Sequence, residues 1–463
     1  MEAIKQSLRD SAAARWTALG IVAFTMFAGY YITDVMAPLK GLLEQQLSWN
    51  SAEYGFFTSA YGWFNVFLLM LIIGGVILDK MGMRFTGVMA ASIMVVGASL
   101  KFYAVSTNSL DGVMWHILWF DTKAQVFLAA LGFAIFGVGV EVAGITVSKI
   151  IVRWFKGKEL ALAMGLQVAV ARLGTALALG VSSPIALGLG HVSKPILLGL
   201  VLLCIGLITF IIYTFMDKKL DASEVGLNDS DEKEESFKIT DIGHIITNKG
   251  WWYLAFLCVL FYSAVFPFLK YAADLMTMKF GVAEKAAGLI PAILPFGTIL
   301  LTPLFGGIYD KKGKGATIMI IGAVILIFVH AMFTLPLLNH WLIAIVLVIL
   351  LGIGFSLVPS AMWPSVPKII PDRYLGTSFS LIFWVQNWGL MGVPALIGWV
   401  LQKYCITGYV MKEGVEVATY NYTLPMAIFT GFGLLALIFA LLLKAESAKK
   451  GYGLEDPNIV KSE

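Results

Sequence analysis

Charged side chains are scarce in this chain: Asp, Glu, Lys and Arg make up 13% of its 463 residues, about half the share found in an ordinary soluble domain. That deficit excludes a soluble globular protein. It also excludes a nucleic-acid-binding surface, which needs clustered Lys and Arg. Cysteine is nearly absent. Cys204, Cys258 and Cys405 lie in or beside apolar runs, without metal or disulfide spacing, and read as small apolar fillers. The five histidines, His116, His191, His244, His330 and His340, are scattered along the sequence. No metal site and no cofactor is expected. Walker motifs, nucleophile elbows and zinc spacings are missing, which argues against ATP hydrolysis and against hydrolase chemistry, so the chain is not expected to be an enzyme. A cleavable signal is also missing: Met1 to Arg15 is polar and of mixed charge, and the first apolar run is long enough to remain as a helix.

What the chain has in abundance is apolar sequence. Hydrophobic residues form 59% of it and the mean hydropathy is +0.84. Twelve runs reach the ~20 residues needed to cross a bilayer. They fall near 15–38, 54–78, 85–106, 125–152, 158–189, 193–216, 251–278, 286–309, 315–338, 341–367, 374–403 and 422–444. The expectation is an all-α membrane protein of two six-helix halves, 1–216 and 251–444. An acidic linker over 217–250 joins them, and a tail over 445–463 follows. Within the linker, Asn228-Asp-Ser-Asp-Glu-Lys-Glu-Glu235 is acidic and poor in apolar residues, the composition of a flexible tether. Basic residues set the orientation. Placing both termini in the cytoplasm puts 22 of the 33 Lys and Arg residues on that side, among them Arg15, Lys80, Arg153 and Lys158. Connections on the opposite side are short. Lys149, Lys101 and Lys270 lie near the ends of spans, where a long cationic side chain is expected to snorkel to the interface.

The chain repeats itself. Gly75-Val-Ile-Leu-Asp79-Lys80-Met-Gly82-Met-Arg84 joins spans 2 and 3, and Gly306-Gly-Ile-Tyr-Asp310-Lys311-Lys-Gly313-Lys314 joins spans 8 and 9. Glycine permits a tight turn there, and the acid can pair with a base or cap a helix end. Asp79, Arg84 and Asp310 are therefore the candidate gating residues. Matching loops in equal halves indicate parallel repeats, an architecture that puts the substrate at the interface of the halves near mid-depth.

Two charges occupy that depth. Glu141 lies about 18 Å along span 4 from the terminal side, and Arg172 about 21 Å along span 5, at 1.5 Å per residue. Charges so deep in a bilayer need a partner or a polar cavity. A buried Glu–Arg salt bridge that only locks two helices is the alternative to a ligand site. Other polar and aromatic candidates are Tyr30, Tyr31 and Asp34 on span 1, Gln167 on span 5, Tyr262 on span 7, Trp363 on span 10, and Gln386 with Asn387 on span 11. Tyr30 and Tyr31 are adjacent in a helix and point about 100° apart, so at most one faces a cavity. Asp34 reads equally as a ligand, a gate or a helix-end residue.

The repeated loop and twelve-helix plan resemble the major facilitator superfamily. A narrower resemblance rests on Arg153-Trp154-Phe155-Lys156-Gly157-Lys158-Glu159-Leu160, on Gly165-Leu166-Gln167 with Ala171-Arg172-Leu173-Gly174, and on Glu141 before them. These strings are similar to the lysosomal dipeptide transporter branch. So are Gly62-Trp63-Phe64-Asn65, Ala264-Val265-Phe266-Pro267-Phe268 and Ala361-Met362-Trp363-Pro364. The resemblance implies a secondary transporter in which Arg172 holds the carboxylate of a dipeptide and Glu141 its ammonium, by facilitated diffusion or with protons as the coupling ion. An organic-anion carrier and a transport-inactive receptor or scaffold are the alternatives. The chain departs from the branch in two places. Its N-terminus has no acidic dileucine signal, which favours a plasma membrane over a lysosome. Val147 and Ser148 stand where the branch carries a polar Gln-Asn pair. Expected partners are a dipeptide and the lipid bilayer; an accessory subunit has no visible docking segment.

Overall fold

The computed structural model describes residues 8–117, 120–155, 158–224 and 239–458. The first half comprises α1 (Ala12–Asp34), α2 (Lys40–Leu47), α3 (Ser51–Ser59), α4 (Trp63–Phe67), α5 (Met70–Ser106), α6 (Ala124–Phe155), α7 (Leu160–Gly188) and α8 (Ser193–Glu224). A short α9 (Ile239–Ile246) leads into the second half. That half comprises α10 (Lys249–Ser263), α11 (Phe266–Phe280), α12 (Glu284–Ala287), α13 (Leu289–Lys312), α14 (Gly315–Thr334), α15 (Trp341–Ile369), α16 (Leu375–Tyr404) and α17 (Thr423–Lys450).

Among the described residues, eleven helical stretches are long and apolar enough to cross a membrane. The remaining crossing, the second, runs through α3, α4 and the first part of α5, whose 37 residues contain a break at Gly82, φ 79° and ψ 169°. Only glycine adopts that backbone without strain. Packing against α6 shows that the chain reverses there. Gly137 sits against Tyr61 and Gly74 against Val142, so residues before Gly82 run parallel to α6. Gly97 sits against Phe136 and Gly139 against Met94, so residues after it run antiparallel. The glycine of the repeated loop is thus a hairpin between two membrane helices. The start of α1 and the end of α17 lie on one face, here the terminal face; the opposite one is the far face.

Three crossings are broken; the sequence pattern predicted the second and seventh as continuous and ended the first at 38, where the structure continues it to Leu47. The first is interrupted around Pro38, between α1 and α2. The second gives way to a 3-10 turn at Ala60–Gly62, and again at Leu69, φ 53°. The seventh breaks at Ala264–Val265, where Pro267 at the start of α11 has no N–H to continue the ladder. Hydropathy averaged over a window does not register these breaks, because the flanking runs stay apolar on average even with Asp34, Lys40 and Asn65 beside them.

The far face is more elaborate than short connections. Two antiparallel hairpins cover it, β1 (Met114–Ile117) with β2 (Phe120–Lys123), and β3 (Ile406–Lys412) with β4 (Val415–Tyr420). The linker is also shorter than the acidic composition suggested. α8 runs on to Glu224, and Asp217 is fully buried, bonded by Arg84 at 2.6 Å and Arg153 at 3.1 Å. The acidic run Asn228–Glu235 and the loop residues Lys156–Gly157 lie outside the described residues. On the other side of the linker, the tail after α17 is a strap. Leu454 is buried, Glu455 accepts from the Thr317 N–H at 2.9 Å, and Lys368 donates to the Gly453 and Asp456 carbonyls.

The halves meet along the far face through backbone-close contacts. A Cβ on Gly398 would stand 2.4 Å from the Ser51 carbonyl and 2.7 Å from Gly55 Cα, and one on Gly288 would stand 2.0 Å from the Leu179 carbonyl. Exposed apolar residues such as Ile208 and Phe215 on α8, Leu300 on α13 and Leu441 on α17 face outward, as lipid contact requires.

Candidate substrate site between the halves

Glu141 is placed by helix packing. Gly137, one turn before it on α6, has no side chain, which lets the 3-10 turn at Ala60–Gly62 approach; a Cβ there would stand 2.3 Å from the Tyr61 carbonyl. Tyr61 then reaches along α6 and donates its hydroxyl to Glu141 Oε1 at 2.7 Å. The second carboxylate oxygen keeps its acceptor capacity for something else.

Arg172 is placed across the interface. Its guanidinium carbon lies 5.7 Å from the centroid of Tyr30, 5.2 Å from Phe266 and 5.5 Å from Phe355. Tyr30 comes from the first half, the two phenylalanines from the second. These are cation–π distances. The rings hold a cation by its faces and leave its N–H fork without a competing carboxylate. Among the described residues neither Glu141 nor Arg172 forms an ion pair, so the helix-locking salt bridge is not what this structure contains. Tyr30 lies in electrostatic reach of both charges. The arrangement is an acid on α6 and a base on α7, each oriented by aromatic groups and, among the described residues, neither ion-paired with the other.

The second half supplies an aromatic wall. Trp363 donates its indole N–H to the Tyr262 hydroxyl at 3.2 Å and stacks on Phe383 with centroids 4.9 Å apart. Tyr262 packs on Phe266 and Phe355, so this wall is continuous with the rings around Arg172. Gln386 is buried beside Cys258. Asn387 bonds the Phe383 carbonyl within its own helix, its backbone lies against Gly62, and its side-chain oxygen is unpartnered and buried. Gln167 is buried without a hydrogen-bond partner among the described residues.

Other predicted site residues lie elsewhere. Tyr31 is buried on the opposite side of α1, against Gly199 of α8; one of the adjacent tyrosines faces the site, and it is Tyr30. Asp34 belongs to the closed far face. Its carboxylate takes Lys270 Nζ at 2.6 Å and the Thr175 hydroxyl at 2.8 Å. Lys270 therefore bridges to the other half instead of snorkelling. Lys101 does not snorkel either: it is 1% exposed and donates to the Ile32 carbonyl at 2.9 Å. A second buried bridge joins Lys40 to Glu44 at 2.7 Å and to Asp274 of the other half at 3.0 Å, with the Tyr420 and Tyr422 hydroxyls donating to the two acids. On the terminal face the loop residues pair within their own halves. Asp79 takes Lys149 at 2.9 Å, Arg84 takes Asp217, and Asp310 accepts from Asn458 of the tail strap instead of from a base. Val147 is fully buried in the first half and Ser148 donates to the Gly144 carbonyl of its own helix.

Tyr61 and Phe355 were not singled out from sequence. Each is one of many aromatics in an apolar run, and only the break in the second crossing and the pairing of the halves bring them to the charges.

Two six-helix halves enclosing a charged mid-depth site define a membrane transporter. The chain belongs to the Major Facilitator Superfamily, whose family model matches residues 19–394. It is similar to curated proteins named lysosomal dipeptide transporter MFSD1. The Bos taurus protein is 26% identical over 89% of this chain and 84% of its own length. The Danio rerio protein is 28% identical over 86% and 82%. Among solved structures, the nucleoside transporter NupG matches with a TM-score of 0.67 at 15% identity, over 93% of this chain and 99% of that one; that likeness concerns the fold alone. The expected preference for the plasma membrane gains no support from relatives whose names say lysosomal.

Proposed function

We propose that this chain carries dipeptides by alternating access, with Arg172 holding the substrate carboxylate and Glu141 its ammonium. The observation that carries the reading is Arg172, caged by rings from both halves, together with Glu141 held by Tyr61, neither of them ion-paired among the described residues. A zwitterion with its charges a few ångströms apart satisfies both. An organic anion would satisfy Arg172 and repel Glu141. In this conformation the halves are bridged at the far face by Lys270–Asp34 and Lys40–Asp274, which supports reading it as the state closed to that side; the basic-residue asymmetry assigns the terminal face to the cytoplasm. Rings on both halves, Tyr30 against Phe266 and Phe355, make rearrangement of the halves and remodelling of the Arg172 cage one event.

The test is transport into proteoliposomes of a dipeptide, its N-acetyl form and its C-terminal amide, by wild type and Glu141→Gln. Both modified ligands should be poor substrates of wild type, and Glu141→Gln should narrow the gap between the dipeptide and its N-acetyl form. Equal uptake of all three by wild type would overturn the reading. If Glu141→Gln keeps dipeptide exchange and loses only accumulation driven by a proton gradient, Glu141 is a proton carrier and not the amine site.

A further inference from the structure

A buried ion pair between moving halves poses a physical problem. When the far face opens, Lys270 leaves with α11 and Asp34 stays behind on α1. A carboxylate that loses its partner inside a protein is strongly destabilising, and that cost would fall on the open state. Asp34 is 8% exposed, and its remaining partner, the Thr175 hydroxyl, is neutral.

The first half contains a second buried lysine near that position. Lys101 on α5 is buried and makes no ion pair among the described residues. Its ammonium donates to the Ile32 carbonyl, and the Lys270 ammonium donates to the carbonyl of the next residue, Thr33, at 2.7 Å. Asp34 follows directly in the chain. Both ammoniums lie over the same ring, Phe133, at 4.7 Å for Lys101 and 5.9 Å for Lys270. Both lysines therefore end near Phe133 and near consecutive carbonyls at the end of α1, and of the two only Lys270 is paired with Asp34 among the described residues. A buried lysine held only by a carbonyl and two rings has no evident role in packing, because an apolar side chain of similar length would fill that space without the desolvation cost.

We propose that Lys101 is the reserve counterion of Asp34: as Lys270 departs with the second half, the Lys101 ammonium turns from the Ile32 carbonyl to the Asp34 carboxylate. The closed state uses the cation of the opposite half, and the open state uses the resident one. The exchange makes the two states comparable in energy, which an alternating carrier needs. This inference rests on the alternating-access part of the proposed function and not on the identity of the substrate.

The experiment reads conformation without any substrate, so a wrong dipeptide assignment does not affect it. Ala287 is buried where α12 packs against the first half. Ala287→Cys, in a full-length background with Cys204, Cys258 and Cys405 replaced by alanine, reports far-face opening by its rate of alkylation with a maleimide in nanodiscs. Lys270→Met should raise the rate. Lys101→Met should lower it about tenfold or more, since each factor of ten corresponds to 1.4 kcal/mol withdrawn from the open state. Lys101→Gln, which keeps a donor to the Ile32 carbonyl without the charge, should lower it similarly, and it serves if the methionine variant fails to fold. In an Asp34→Asn background the Lys101 substitution should have no further effect. A rate in both Lys101 variants equal to or faster than the parent overturns the proposal. So does a slowing that persists when Asp34 is asparagine, which would make Lys101 a packing residue only.

Discussion

Replacing Arg172 by lysine keeps the charge and the cage and removes the fork. The guanidinium lies between 5.2 and 5.7 Å from three ring centroids, so its plane is held while its N–H edges stay available. An ammonium in the same cage keeps the cation–π attraction and offers one point contact in place of two parallel ones. Losing one charge-assisted hydrogen bond costs about 1.5–3 kcal/mol. At 1.4 kcal/mol per factor of ten, dipeptide affinity should fall about 10- to 150-fold. The assay is calorimetric titration of purified protein with a dipeptide and with its C-terminal amide, for wild type and Arg172→Lys. The amide cannot present a carboxylate, so the two proteins should bind it alike, and the whole loss should appear in the free acid. If Arg172→Lys binds the free acid as tightly as wild type does, Arg172 does not grip a carboxylate. If both ligands lose affinity equally, the residue shapes the cavity and the fork argument is wrong.

Tyr61→Phe removes the 2.7 Å hydrogen bond to Glu141; KM for the dipeptide should rise about tenfold, as loss of a bond to a charged group implies, with binding of the N-acetyl form unchanged, and a loss shared by both ligands would mean that Tyr61 only packs. Gly398→Ala places a methyl group 2.4 Å from the Ser51 carbonyl in the far-face seam. Overpacking costs about 1–3 kcal/mol, here paid only by the closed state, so alkylation of a cysteine at Ala287 should accelerate; an unchanged rate would place the seam outside the moving interface.

The sequence alone determined which segments are long and apolar enough to enter the membrane, and it supplied the expectation of one acid and one base at similar depth. Those properties depend on local composition and on counting residues along helices of fixed rise. The repeated Asp79 and Asp310 loops likewise marked the hairpins of the two halves, because glycine at Gly82 and Gly313 is a backbone requirement readable in one residue. Tertiary structure decided the rest. Whether Glu141 and Arg172 neutralise each other depends on how α6 and α7 rotate about their axes, which is set by their neighbours; Gly137 admits Tyr61 to the acid, and Phe266 and Phe355 come to the base only when the second half packs on the first. The same holds for Lys101 and Lys270. Near the ends of apolar runs, a lysine that snorkels and a lysine that is buried have the same local sequence. What separates them is the Asp34 carboxylate and the adjacent Ile32 and Thr33 carbonyls exposed by the break at Pro38, which belong to another helix.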